Sequence, residues 1–90
     1  MENRNKVIDR VVFKEAIFHY DRQQLAEARD GFSKIVKDYP NASMADQTNY
    51  FYATTYWREN QYQKTIDTFK QLTRYYPNSP LVPGAYYHMV

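Results

Sequence analysis

The sequence predicts an all-α chain of about five antiparallel helices, and three observations carry that reading. Only two Gly and four Pro stand among its 90 residues, with few Val or Thr alternations, which leaves little material for short strands and tight hairpins. Apolar residues recur three or four apart, the spacing of one helical face. Two stretches read almost alike, "IVKDYPNAS" from Ile35 to Ser43 and "LTRYYPNSP" from Leu72 to Pro80, with the offset from Pro40 to Pro77 equal to 37.

The first helix is expected over about 5–21, where Val12, Ala16, Ile17 and Tyr20 make an apolar stripe. Polarity removes the stripe at "DRQQ", and Leu25, Ala28, Phe32 and Ile35 restart it in a second helix over about 24–38. Sliding by 37 sets Ala53 on Ala16 and Trp57 on Tyr20, which places a third helix over about 43–58. The break at "RENQ" follows, with Asn60 able to adopt the left-handed turn conformation at little cost. Tyr62, Phe69 and Leu72 then repeat Leu25, Phe32 and Ile35 in a fourth helix over about 61–75. "PLVPGAYYHMV" opens a fifth over about 79–90, with Pro80 and Pro83 confined to its first turn and Tyr87 matching Tyr50. Gly31, inside the second helix, costs about 1 kcal/mol relative to Ala, so close approach by a neighbouring helix is its expected reason.

The resulting pattern is a small residue, an aromatic before the turn, then an apolar residue, a small one, an aromatic and a closing Pro. It is carried by Ala16, Tyr20, Leu25, Ala28, Phe32 and Pro40, and again by Ala53, Trp57, Tyr62, Thr65, Phe69 and Pro77. This resembles the tetratricopeptide repeat, a helix-turn-helix solenoid, over nearly the whole chain. The implied organisation is one domain of two and a half repeats: about 5–40, about 43–77, and the first helix of a third from about 79. The usual period is about 34, so the extra residues lengthen each first helix by most of a turn. The long period and the "YPNS" ending resemble a bacterial cell-envelope subgroup. Its examples are the periplasmic repeat protein associated with Tol-Pal and the repeat lipoprotein of the outer-membrane barrel assembly machinery. A periplasmic or envelope location is implied by that resemblance alone. Two departures stand out: Gln23 and Asn60 replace the glycine common at the turn, and Thr65 replaces a small residue.

Composition narrows the function classes. No apolar run of about 18 residues is present, and "MENRNKVIDR" lacks the apolar segment of a secretion signal, so no membrane insertion of this segment is expected. Without cysteine there is no disulfide, no thiolate chemistry and no Cys-rich zinc site. A net charge of +2 with both signs mixed is far from the basic excess of a dedicated nucleic-acid binder. His19 and His88 are far apart without local ligand partners, and no phosphate loop, metalloprotease helix or nucleophile elbow is present. No enzyme and no cofactor is expected.

In tetratricopeptide domains the first helices line a groove for peptides. The resemblance implies groove positions at Arg10, Phe13, Lys14, Ile17, Tyr20 and Asp21 in the first unit. It implies Gln47, Tyr50, Phe51, Thr54, Trp57 and Arg58 in the second, and Tyr87 on the third. Tyr and Trp offer large contact area at low rotamer cost, so Trp57, Tyr50, Tyr20 and Tyr87 are the expected anchors, with Lys14 and Arg58 at the rim. The Lys and Asn set that clamps a C-terminal carboxylate in some members is absent: Phe13, Ile17, Tyr50 and Thr54 stand there. The expected function is non-catalytic binding of a protein or peptide partner, as scaffolding in an envelope complex.

Two alternatives come from the ends. Lys6, Arg10 and Lys14 recur every four residues as a basic stripe that could meet an acidic partner or, less favourably given Asp9, Glu15 and Asp21, nucleic acid. Glu15 and His19 replace Tyr52 and Tyr56 of the second unit and read as a polar cap of the stack. The last helix carries no such cap, which implies a piece of a longer protein, or an open face able to form a homo-oligomer.

Overall fold

Every connection in this chain is made twice, and the copies coincide 37 residues apart. The computed structural model describes residues 2–89, with side chains from Ile8 onward. Five helices follow in order: α1 (Glu2–Asp21), α2 (Leu25–Asp38), α3 (Ala45–Arg58), α4 (Tyr62–Tyr75) and α5 (Val82–Met89). Each packs on the next in the chain, giving a stack of helix pairs without a strand among the described residues. None of these helices is long and apolar enough to cross a membrane.

The turn inside each pair is closed by the same two bonds. Gln24 donates its N–H to the His19 carbonyl at 2.9 Å and Gln23 to Tyr20 at 3.1 Å; Gln61 donates to Tyr56 at 2.9 Å and Asn60 to Trp57 at 3.0 Å. This is the Schellman closure, which needs one left-handed residue, and here Gln23 (φ 64) and Asn60 (φ 61) supply it. Asn tolerates that conformation, whereas Gln pays the Cβ penalty in full. Gln23→Gly is therefore expected to raise stability by about 1 kcal/mol, and Asn60→Gly by clearly less, as read from urea midpoints.

The connection between pairs is also duplicated. Tyr39 and Tyr76 cap their helices through Ile35 and Leu72, at 2.8 and 2.9 Å, and Ala42 and Ser79 then donate to those same tyrosines at 3.1 and 3.0 Å. The Tyr-Pro pair links the two layers, because the Tyr76 hydroxyl donates to the Pro40 carbonyl at 2.6 Å.

Three boundaries differ from the sequence expectation. Helix α1 begins at Glu2 rather than near 5. Helix α3 begins at Ala45 because the Ala45 N–H is still closing a turn on the Ala42 carbonyl at 3.0 Å. Helix α5 begins at Val82, so only Pro83 lies in its first turn; Pro80 belongs to the turn before it, held by the Leu81 N–H on the Ser79 hydroxyl at 3.1 Å. Val90, the expected last residue of that helix, lies outside the described residues.

The core is written in two copies. In the first layer Phe32, fully buried, meets the rings of Phe13 (6.5 Å), Tyr20 (6.0 Å) and Phe51 (5.9 Å). In the second, Phe69 meets Tyr50 (5.1 Å) and His88 (5.3 Å), and Trp57 edges onto His88 at 5.6 Å. Gly31 has the expected reason: a Cβ there would stand 2.8 Å from that of Ala16, so α1 and α2 approach too closely at this point for a larger residue.

One polar pair is only half repeated. Asp46 accepts the Ser79 hydroxyl at 2.6 Å. Asp9 holds the matching place in the first layer, buried, but the residue in the Ser79 register is Ala42, and the Asp9 Oδ1 has no partner among the described residues. Ala42→Ser should supply the missing donor and stabilise the chain by about 1.5–3 kcal/mol, measured as a rise in urea midpoint that disappears in Asp9→Asn/Ala42→Ser.

Candidate functional site

Helices α1, α3 and α5 reach one another through side chains, and the expected groove residues lie along that contact. Tyr20 is corrected by the structure. Only 8% of it is exposed, because its ring edges onto Phe51 at 5.2 Å and the Arg58 guanidinium covers it at 4.3 Å. Its hydroxyl lies 2.8 Å from Thr54 Oγ1. Thr54 spends its own proton on the Phe51 carbonyl at 2.9 Å, so Tyr20 is the donor. Tyr20 and Thr54 thus support the wall from behind instead of presenting a surface. Arg58 keeps an exposed position but spends its planar face on Tyr20.

Phe13, Ile17 and Tyr50 are half-buried, while Lys14 and Arg10 are exposed; the Lys6 side chain, third in the basic stripe, lies outside the described residues. Trp57 and Tyr87 are the open aromatics, 47% and 80% exposed. Between them stands His88, edge-on to Trp57 at 5.6 Å and to Tyr87 at 6.0 Å, and stacked flat on Phe69 with 7° between the rings. Tyr50 closes the group, 5.9 Å from His88, and lies across α5 where Gly84 has no side chain: a Cβ there would stand 3.2 Å from the Tyr50 hydroxyl.

His88 was not among the residues the sequence singled out for binding. The signal was the period itself, since 88 minus 37 is 51, and Phe51 stacks on Phe32 as His88 stacks on Phe69. The same register explains Tyr87. Its counterparts Phe13 and Tyr50 pack on the Phe of their own layer, whereas Tyr87 has no such Phe among the described residues.

On the other edge of α3 lies a polar aromatic cluster. Arg29 pairs with Glu59 at 2.7 Å and sits 4.7 Å over the Tyr56 ring. Its guanidinium holds the Glu59 carboxyl below the usual range. Burial, and then the hydrogen bond shared by the Tyr52 and Tyr56 hydroxyls, push the Tyr52 phenol up to about 12. Burial likewise raises Tyr50, so both phenols stay neutral donors throughout the physiological range. The chemistry both clusters offer is aromatic contact with cations at its margin.

The geometry is that of a helical repeat with an aromatic wall, and comparison adds a family. The profile of an outer membrane lipoprotein family, YfiO, matches residues 5–90. The chain belongs to the YfiO family. No curated protein and no solved structure matches it. The YfiO match spans both helix pairs and α5, so membership covers the aromatic wall as well as the stack beneath it. It also agrees with the coarser expectation of a tetratricopeptide-like repeat from a cell-envelope family.

Proposed function

We propose that this chain is a non-catalytic scaffold module of a cell-envelope assembly and that the wall of Trp57, His88 and Tyr87 seats a peptide or partner segment. The observation that carries the reading is the exposure of two large aromatics on either side of an imidazole that is itself locked on the buried Phe69. A rigid aromatic surface loses little rotamer freedom on binding, which is how a few side chains come to dominate an interface. Membership of an outer membrane lipoprotein family supports the envelope setting. Lys14 and Arg58 would set register at the margin.

The test is a peptide selected by display against the chain and titrated into variants. Trp57→Ala and Tyr87→Ala should each weaken binding about tenfold or more, while Lys37→Ala on a distant surface leaves it unchanged. Full affinity in both aromatic variants would contradict the reading. A second reading, self-association through α5, is favoured by the exposure of Tyr86 beside Tyr87. Light scattering over a hundredfold range of concentration separates the two, since only self-association gives a dimer that Tyr87→Ala dissolves.

A further inference from the structure

The outward face of α1 was expected to be a polar cap built by Glu15 and His19. Glu15 is indeed exposed, and His19 donates its Nδ1 proton to the Gln24 side-chain carbonyl at 2.7 Å. The face around them also carries apolar side chains, with the Arg22 guanidinium 4.3 Å over the Phe18 ring at its end. Ile8, Val11 and Phe18 recur along it and are exposed, Val11 by 48% and Phe18 by 53%. Their counterparts 37 residues on are Ala45, Thr48 and Thr55, all fully buried. Glu15 corresponds to Tyr52 and Lys14 to Phe51, and both of those pack against the Ala28 and Phe32 cluster. The residues that α3 hides beneath α2 are therefore left open on α1, and two of them have become larger and more apolar.

The crevice beside this stripe differs in charge from its copy. Between α3 and α4, Tyr52 and Tyr56 lie with rings 5.5 Å apart and Lys64 stands 5.5 Å from Tyr56. Between α1 and α2 the matching residues leave a cavity of about 300 Å³ lined by Glu15, His19, Glu27, Asp30, Gly31 and Lys34. Three carboxylates face one lysine there, and none of the three is ion-paired among the described residues. The chain also shows how a helix covers such a face: α2 lies on α3 and sends Arg29 across to Glu59 and the Tyr56 ring, whose places on α1 are held by Arg22 and His19.

We infer that the Ile8, Val11 and Phe18 face of α1, with the acidic crevice beside it, is a docking surface for a cationic amphipathic helix of a partner protein. The partner's small apolar residues cover the stripe, and an Arg or Lys on its margin reaches the carboxylates of Glu15, Glu27 and Asp30. A second copy of this chain is the disfavoured occupant, because pairing the face with itself brings two sets of three carboxylates together. The surface is separate from the aromatic wall of Trp57 and Tyr87 and does not depend on that wall's proposed role.

Two labelled synthetic helices test it, each of fifteen residues with Ala and Leu along one face, identical except for a central Arg in one and Glu in the other. By fluorescence anisotropy with the full chain, the Arg peptide should bind at least about tenfold more tightly, with the difference shrinking as salt rises. Glu15→Lys should remove the preference, Val11→Glu should abolish binding of both, and Trp57→Ala should change neither. Circular dichroism checks that the variants fold, and Glu15→Lys, at an exposed position, keeps the test decisive should Val11→Glu disturb α1. Equal affinity for the two peptides, or no binding of either tighter than about a millimolar, overturns the proposal. So does an affinity lost in Trp57→Ala and kept in Val11→Glu. A dimer in sedimentation that Val11→Glu dissolves would make the second copy the occupant and overturn it as well.

Discussion

Phe32→Ala is expected to cost about 3–5 kcal/mol, the largest single loss available in this chain. Phe32 is fully buried and its ring meets those of Phe13 on α1, Tyr20 on α1 and Phe51 on α3, so its removal opens a cavity where three helices converge. Domains of this size have about 5–15 kcal/mol in all, so a sharp drop in melting temperature and urea midpoint should follow. Phe69→Ala should cost less, because the rings around it are Tyr50 and His88 and α5 is the shortest helix of the stack. A loss below about 1 kcal/mol for Phe32→Ala would mean that the first layer is not packed as described.

Asn49→Val is expected to act in the opposite direction, raising stability by about 1–3 kcal/mol. The Asn49 side chain is fully buried, and neither its amide nitrogen nor its oxygen has a partner among the described residues. Neighbouring threonines do not help, because each turns its hydroxyl onto its own helix. Thr48 donates to Met44, Thr55 to Tyr52, Thr65 to Gln61 and Thr68 to Lys64, all at 2.9 Å or less. Those bonds satisfy the hydroxyls locally and leave the amide alone. Val is what the first layer carries in the same register, at Val12. Chemical denaturation of the variant decides the matter, and a loss of stability would mean that the amide's hydrogen bonds are being made.

The repeat was legible because one register governs local and tertiary structure at once. Pro40 and Pro77 announced it, and the backbone honours it bond for bond, down to φ values of 64° and 61° at Gln23 and Asn60. Helix ends were less legible where a turn residue stands next to a proline, as at Pro80, because spacing alone does not say whether the proline opens the helix or precedes it. The groove was read unevenly for a related reason. Trp57 and Tyr20 are equivalent in sequence and each has a ring of the next layer beside it, His88 and Phe51, yet one is exposed and the other buried, because Tyr20 alone of the two has a guanidinium, that of Arg58, laid over it among the described residues. Periodicity names the register of a side chain, and the neighbouring layer decides whether that register is surface or core. His88 and the Ile8 to Phe18 stripe were missed on the same ground, since their meaning appears only when each is set against its copy.

The most direct measurement of the central claim uses the only tryptophan in the chain. Trp57 emission and its quenching by acrylamide would be followed while a display-selected peptide lacking tryptophan is titrated to saturation. A shift of emission to shorter wavelength together with protection from quenching is the predicted result, because a segment seated on the wall covers an indole that is half open in the free chain. Saturable binding that leaves both emission and quenching unchanged would place the partner elsewhere and contradict the account.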